Sequence, residues 1–291
     1  MPSTREIRRR IRSVKNVGQI TKAVQMVASS KMRRAQDRVY SSRPYSEQLI
    51  TLLARLSSQA AGEEDLPLMR VRPAHNAAIV LLTPDRGLAG ALSANVIRRA
   101  AALVNELHQE TGNPNLGVRY IAVGRKGRDW VVRSGQRLLA EFTQLGDQPR
   151  LGDIRAIART ITDAFIAEQV DLVYLVYPKF VSTLSQVPTP LQLLPVRPPS
   201  EAEEEGPTPQ YIYEPDAVTI FSELLPRYVE TLIYQPYLET IASFYAAQLV
   251  AMKNATDNAN DLAADLTLTY NKARQAAITT QILEVVAGAG G

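Results

Sequence analysis

Apolar residues in the first third of the chain recur at spacings of three and four. Ile7, Ile11, Val14, Val17, Ile20, Val24 and Val27 make one narrow stripe, the periodicity of a helix and not of a strand. Ser3 and Glu6 precede it with capping-box spacing, so the helix is expected to begin there. The pattern runs past Met32 toward Leu56, with a bend expected at Arg43-Pro44, because proline removes a backbone donor and crowds the preceding turn. At about 1.5 Å per residue this helix is roughly 80 Å long, more than a compact domain needs.

The pattern then changes. Residues 77–82 (AAIVLL) form a short apolar run, 91–110 read as helix, 118–123 as a second strand, 154–168 as helix, 171–177 (DLVYLVY) as a buried strand and 191–196 as a final strand, with antiparallel pairing one option. Buried strands separated by helices argue for a mostly parallel sheet covered on both faces. Residues 75–196 therefore read as a Rossmann-like α/β domain. The segment 197–210 (RPPSEAEEEGPTPQ) joins prolines to a run of glutamates and reads as a surface loop.

Helical character returns after Pro215, where Pro226 and Pro236 allow either a kink or a late helix start. Met252, Ala255, Ala259, Leu262, Leu266, Thr269, Ala273, Ala276, Thr280 and Leu283 then follow the 3,4 spacing of a coiled-coil seam. The chain's own N-terminal helix is the natural partner. The expected fold is α/β: a long antiparallel coiled coil of the N- and C-terminal helices, protruding from an inserted Rossmann-like α/β domain. The expected parts are an N-terminal coiled-coil helix (1–60), the α/β domain (75–196), the acidic loop (197–210) and a C-terminal coiled-coil helix (211–291).

Charge sharpens this picture. Residues 1–43 hold twelve lysines and arginines against Glu6 and Asp37, a net of +10 in a chain whose formal charge is +4, so the remainder carries −6. A basic helix of this kind can meet nucleic acid, a membrane surface or an acidic protein. The absence of cysteine removes disulfides and thiolate chemistry, and the only histidines, His75 and His108, stand in no recognisable motif. No apolar run approaches the roughly 20 residues that span a bilayer, and the first residues lack the apolar core of a secretory signal.

Catalytic chemistry is sought first in the turn TPDRGLAG (83–90), where glycines between strand and helix can bring backbone amides to a phosphate. Neither this turn nor GRKG (124–127) contains the P-loop or dinucleotide fingerprint. Tight strand-to-helix turns are the expectation, with a weak anion site the alternative. Asp257, Asp261 and Asp265 lie on one helix face below Lys253, but a metal or acid–base site needs groups converging from several elements. Contact with solvent or a basic partner is expected for them. No catalytic residue, metal site or cofactor is expected.

The segments IRRRIRSVKNVGQITKAVQMVASSKMRRAQ, TPDRGLAG, VGRKG, YPKFVSTLSQVPTPLQLLPV and AMKNATDNANDLAADLTLTYNKARQAAITTQILEVVAGA resemble, in order and over nearly the whole chain, the gamma subunit of the F-type ATP synthase. The resemblance implies a central rotor whose paired terminal helices enter a ring of three alpha and three beta subunits. Its base would couple to the epsilon subunit and the membrane c-ring, and catalysis would belong to beta. By similarity, Lys22, Val24, Met26, Arg33, Gln248, Asn271, Arg274, Gln275 and Thr279 are shaft contacts with alpha and beta, and Tyr211, Tyr213 and Glu214 are base contacts with epsilon or the c-ring. The implied location is the cytoplasmic face of a bacterial plasma membrane, peripheral, with no direct membrane insertion. The pattern also departs from the family. Gln248 stands where bacterial relatives often carry arginine, Gln281 where glutamate can occur and Ala89 where cysteine is frequent. The two-cysteine insertion of the chloroplast type is absent, so no dithiol control through this subunit is expected.

Two other classes fit less well. A nucleic-acid-binding coiled coil would use the basic segment, but it has no aromatic residue before Tyr40. A nucleotide-dependent enzyme would use the α/β domain, but it lacks phosphate signatures and leaves two long helices without a role.

Overall fold

A computed structural model describes residues 3–59, 66–197, 214 and 216–289. The acidic loop beyond Arg197, and Tyr211 and Tyr213, lie outside the described residues. The chain divides into two compact units. Unit 1 takes Met1–Ser30 and Gln248–Gly291, and unit 2 takes Lys31–Ala247. Helix α1 (Thr4–Gln59) and helix α5 (Ala217–Ala289) each contribute to both.

Unit 1 is an antiparallel helix pair. Arg8 lies against Tyr270, donating to its hydroxyl and covering its ring, while Gly18 faces Ala259 and Thr21 faces Thr256. α1 begins at Thr4, with the Glu6 N–H bonded to the Ser3 hydroxyl at 3.3 Å. The Glu6 carboxylate faces Arg10 at 3.7 Å.

The seam differs from the one expected. On α1 it shifts by one residue after Val14, onto Gly18, Thr21 and Ala28, and leaves Val17, Ile20 and Val27 half or more exposed. On α5 it takes Met252, Thr256, Ala259, Ala263, Leu266, Tyr270 and Ala273. Ala255 is partly buried, as Leu266, Tyr270 and Ala273 are, whereas Leu262 and Thr269 are exposed. Ala276, Thr280 and Leu283 are exposed as well, because α1 begins only one turn beyond the Arg8–Tyr270 contact and offers them nothing to pack on. The physical reason is size. Gly18 and Ala259 let two backbones approach to a distance that valine and leucine would prevent.

The threonine pair is the polar exception in this seam. Thr21 Oγ1 and Thr256 Oγ1 lie 2.7 Å apart, and each also reaches a carbonyl of its own helix, Gly18 at 3.0 Å and Met252 at 2.8 Å. Two hydroxyl protons serve three contacts, so the two hydroxyls share one proton between helices while the other goes to a backbone carbonyl.

Gly18 also yields a stability prediction. A methyl placed there would sit 3.4 Å from the Ala259 Cβ, an ordinary contact. Gly18→Ala should therefore stabilise the pair by about 0.5–1 kcal/mol through helix propensity, read as a raised thermal midpoint of the helical signal, whereas Gly18→Leu should lower it.

Unit 2 contains a five-stranded sheet of order β3-β2-β1-β4-β5. Strands β1 (Asn76–Leu82), β2 (Gly117–Val123), β3 (Leu138–Phe142) and β4 (Leu172–Phe180) are parallel, and β5 (Gln186–Leu194) pairs antiparallel with β4. Continuous apolar runs form β1 and the middle of β4 because both strands are covered on two faces. On one face Ile79 and Leu81 pack against Val96, Ala100 and Leu103 of α2 (Leu92–Thr111) and Val131 of α3 (Arg125–Arg133). On the other face Ala78, Val80 and Leu82 pack with Ile154, Ile157 and Phe165 of α4 (Leu151–Ile166), Leu53 and Leu56 of α1, and Phe221, Leu225 and Val229 of α5.

The alternation expected from sequence is present, with additions. β3 and α3 were not anticipated, because LLAEF and RKGRDWVVR are too short and too polar to show a period. β5 begins at Gln186, earlier than residue 191, because Pro188 and Pro190 sit in a strand at the sheet edge, with no further strand beside it among the described residues, where proline is tolerated. α1 continues through Pro44, and α5 starts at Ala217 and runs through Pro226 and Pro236, so the late start is not seen.

Candidate functional site

The carboxyl ends of the strands are where a doubly wound sheet binds ligands. In unit 2 this crevice is filled from within. The cavity lined by Thr83, Gly124, Phe142, Tyr237, Ile241 and Phe244 holds about 50 Å³, against the roughly 300–1,000 Å³ of a small-molecule site. α5 supplies Tyr237, Ile241 and Phe244 to this lining. β4 is pinned to the same helix: the Phe180 N–H donates to Glu239 Oε2 at 3.2 Å, and the Ser243 hydroxyl donates to the Pro178 carbonyl at 2.8 Å. Burial raises the Glu239 carboxyl above its ordinary range, against the opposing pull of that N–H and of Lys179 and Arg43.

The turn TPDRGLAG is likewise satisfied from within. Asp85 Oδ1 accepts the Arg125 N–H at 2.9 Å and Oδ2 accepts the Gln144 N–H at 3.0 Å. Lys126 N–H reaches the Pro84 carbonyl at 3.3 Å, Gly127 N–H the Thr83 hydroxyl at 2.8 Å, and Arg128 N–H the Gly124 carbonyl at 3.2 Å. All four first-turn amides of α3 thus have partners, and the negative charge that a helix N-terminus favours is the protein's own Asp85. These amides are therefore not free to hold an anion, and the turn is not the weak anion site that its glycines allowed. GRKG owes its glycines to crowding. A Cβ on Gly124 (φ +99°) would meet the Thr83 carbonyl oxygen at 1.8 Å, and one on Gly127 would meet Thr83 Oγ1 at 2.9 Å.

A second polar cluster was not foreseen. Asp147, in the loop after β3, accepts from Lys31 Nζ at 2.8 Å, and Arg86 stands 3.6 Å away. Lys31 also donates to the Tyr245 hydroxyl at 3.2 Å. Arg38 donates to the Asp147 carbonyl at 2.8 Å and Tyr237 to the Gly146 carbonyl at 3.3 Å. Burial acts to raise the Asp147 carboxyl, but bonds from Lys31 and Tyr245 and the Arg86 charge outweigh it and hold the group below its ordinary value. The Asp147 bond raises Lys31 in turn. Lys31 and Asp147 are 116 positions apart, and no local pattern links them.

Of the sequence-derived contact residues, Lys22, Met26, Arg33, Asn271, Arg274, Gln275, Thr279 and Glu214 are exposed, while Val24 and Gln248 are partly buried. Lys22, Val24 and Met26 fall on one stretch of α1 in unit 1, and the four from Asn271 to Thr279 on the last stretch of α5. Asp257, Asp261 and Asp265 are all exposed. Among the described residues no group of three or more acidic, histidine or cysteine side chains is placed to hold a metal ion.

One unit pairs the two chain ends as antiparallel helices, and the other, which lies between them in sequence, carries a doubly wound sheet; together they define the class of paired terminal helices with an inserted α/β domain. A family model described as ATP synthase matches residues 3–291. The chain is 49% identical over 290 residues to an ATP synthase gamma chain of Roseiflexus sp., covering 99% of this chain and 98% of that one. It is 47% identical to one of Acidithiobacillus ferrooxidans, covering 99% of both. It belongs to the ATP synthase gamma-chain family. Two solved structures share its fold at low identity. One is the Euglena gracilis mitochondrial ATP synthase rotor, with TM-score 0.62, 20% identity, and 94% of this chain and 98% of that chain covered. The other is the Euglena gracilis OSCP/F1/c-ring assembly, with TM-score 0.64, 18% identity, and 99% and 93% covered.

Proposed function

We propose that this chain is the central rotor shaft of an F-type ATP synthase, turning inside a ring of alpha and beta subunits while its base meets the epsilon subunit and the c-ring. It would sit as a peripheral subunit at the cytoplasmic face of a bacterial plasma membrane. The observation that carries the reading, beside family membership, is the shifted seam of unit 1. Beyond Val14 the first helix turns Gly18, Thr21 and Ala28 to its partner, while Val17, Ile20, Met26 and Val27 face outward on a basic helix. Burial drives apolar side chains inward in an isolated pair; their placement outside fits a shaft enclosed by other subunits.

The mechanism follows from symmetry. A single asymmetric shaft cannot touch three equivalent subunits alike, so it stabilises a different conformation in each, and turning it moves that bias from site to site. Such coupling is differential binding to alternative states and requires no ligand of the shaft itself. Lys22, Arg33 and Arg274 supply charge to the outer surface, and Val24, Met26, Gln248, Asn271, Gln275 and Thr279 supply shape and short polar contacts that form and release. Tyr211, Tyr213 and Glu214 are assigned to the base. No helix among the described residues is long and apolar enough to cross a membrane, so attachment would run through partner subunits.

Reconstitution tests this. Mixed with bacterial alpha and beta subunits, the chain should be retained at one copy per ring and should raise ATP hydrolysis above that of alpha and beta alone. Passage through the column without retention, or hydrolysis unchanged by its presence, would sink the rotor assignment.

A further inference from the structure

We propose that the Gly146–Asp147 turn is the torsional node of unit 2, the place where the sheet is tied to both long helices so that twist applied to the base enters α1 and α5 together. The proposal rests on the rotor reading and names the residues that make the base stiff. Four side chains, Lys31, Arg38, Tyr237 and Arg86, reach two consecutive residues, and a fifth, Tyr245, braces Lys31. Lys31 and Arg38 come from α1 and hold the Asp147 carboxylate and carbonyl at 2.8 Å each. Tyr237 comes from α5 and holds the Gly146 carbonyl at 3.3 Å. Tyr245, also on α5, bonds Lys31 at 3.2 Å and lies beneath its ammonium, 5.3 Å from the ring centre. Arg86 adds a tie from the β1 loop.

Direction distinguishes these contacts from the surrounding core. Apolar packing of α1 and α5 on the sheet is strong but has no preferred direction, so it resists separation better than rotation of a helix about its own axis. Charge-assisted hydrogen bonds are directional and roughly twice as strong as neutral ones, and they resist that rotation. Position supports the same role. Lys31 and Tyr245 lie at the ends of the helix segments that unit 2 contributes, one residue after Ser30 and two before Ala247. The helices carry on unbroken from there. Lys31 and Arg38 are seven apart, and so lie two turns apart on one face of α1, which gives the turn two points of purchase on the same helix.

The test uses the assembled complex. The chain has no cysteine, so Gln109→Cys, at an exposed position of α2, provides a unique site for a rotation probe with the hexamer fixed to a surface. Asp147→Ala removes the carboxylate ties and leaves the two carbonyl ties. With about half of the ties gone, angular variance during catalytic pauses should rise by up to about twofold, the limit in which these ties carry the stiffness. Hydrolysis per complex should stay near the parent rate, and Asp147→Glu should bring the variance back toward it. Variance in Asp147→Ala equal to the parent's would overturn the node. Should Asp147→Ala fail to assemble, Tyr245→Phe decides, because it keeps the ring and deletes one hydroxyl: a smaller rise is expected, and no rise would overturn the proposal. Failure of the unsubstituted chain to assemble would be seen before any variant is made and would count against the rotor reading itself.

Discussion

Replacing Arg72 by alanine is expected to cost about 3–5 kcal/mol, the usual penalty for removing one member of a buried ion pair, and to lower the melting temperature of unit 2 by on the order of 10 °C. The Arg72 side chain is 16% exposed and its partner Asp171 8%. Nε donates to Asp171 Oδ1 at 2.6 Å, Nη2 donates to the carbonyls of Phe165 and Val170 at 2.7 and 2.6 Å, and the guanidinium lies 4.6 Å from the centre of the Phe165 ring. The other Asp171 oxygen accepts the backbone N–H groups of His75 and Asn76, both at 2.9 Å. The pair thus fastens the end of α4 and the start of β4 to the start of β1. Alanine takes the donor from Asp171 Oδ1 and from the Val170 carbonyl and leaves the Phe165 carbonyl with the Glu168 amide alone, while a buried carboxylate loses its counter-charge. Differential scanning calorimetry reads the loss, and a variant melting within 2–3 °C of the parent, a shift of about 1 kcal/mol, would show that water replaces the guanidinium.

The same pair sets an acid dependence. Burial acts to raise the Asp171 carboxyl, but bonds from the Asn76 and His75 amides and from Arg72 outweigh it and hold the group below its ordinary value of 3.8. A carboxyl depressed in the folded state stabilises the fold above its unfolded value. That contribution is lost as pH falls from about 4 through the lower folded value. Asp171→Asn should therefore be less stable than the parent at pH 7, with the gap narrowing below pH 4, as read from denaturant midpoints at the two acidities. A gap independent of pH would mean that the charge of Asp171 contributes nothing.

Gly124→Ala should be the second severe change, costing about 3 kcal/mol or more from backbone strain and displacement together. The added methyl would meet the Thr83 carbonyl oxygen at 1.8 Å and its carbon at 2.8 Å, and φ is +99°. Backbone must move, because no flexible side chain stands in the way. Moving Thr83 breaks its bond to the Gly127 amide, one of the contacts that satisfy the first turn of α3. Gly152→Ala is the control, with nothing within 4 Å of the new methyl, and, lying in the first turn of α4, should equal the parent or exceed it by up to about 1 kcal/mol. Equal melting temperatures for the two variants would refute the crowding argument.

These effects separate what periodicity carries from what it does not. The stripe from Ile7 to Val27 placed α1 correctly, yet it does not mark the seam throughout: Val17, Ile20 and Val27 are exposed, and Gly18, Thr21 and Ala28 face the partner helix. A pattern of apolar residues ranks hydrophobicity, whereas a close helix pair ranks size, and the two diverge where the outer face is itself apolar. The turn TPDRGLAG was visible as a strand-to-helix turn. That Asp85 caps α3 across 40 positions was not, because nothing next to Asp85 names its donors.

From the sequence alone come the long terminal helices, the alternating core, the charge asymmetry and the family, since each is written within a few turns of chain or in long ordered motifs. Tertiary structure alone decided which face of each terminal helix is the seam, that α5 fills the ligand crevice, and that Arg72 meets Asp171 and Lys31 meets Asp147. The reason is physical. A helical or strand period arises from neighbours three, four or two residues away, while these contacts join residues 99 and 116 positions apart and exist only once the sheet and both helices have packed.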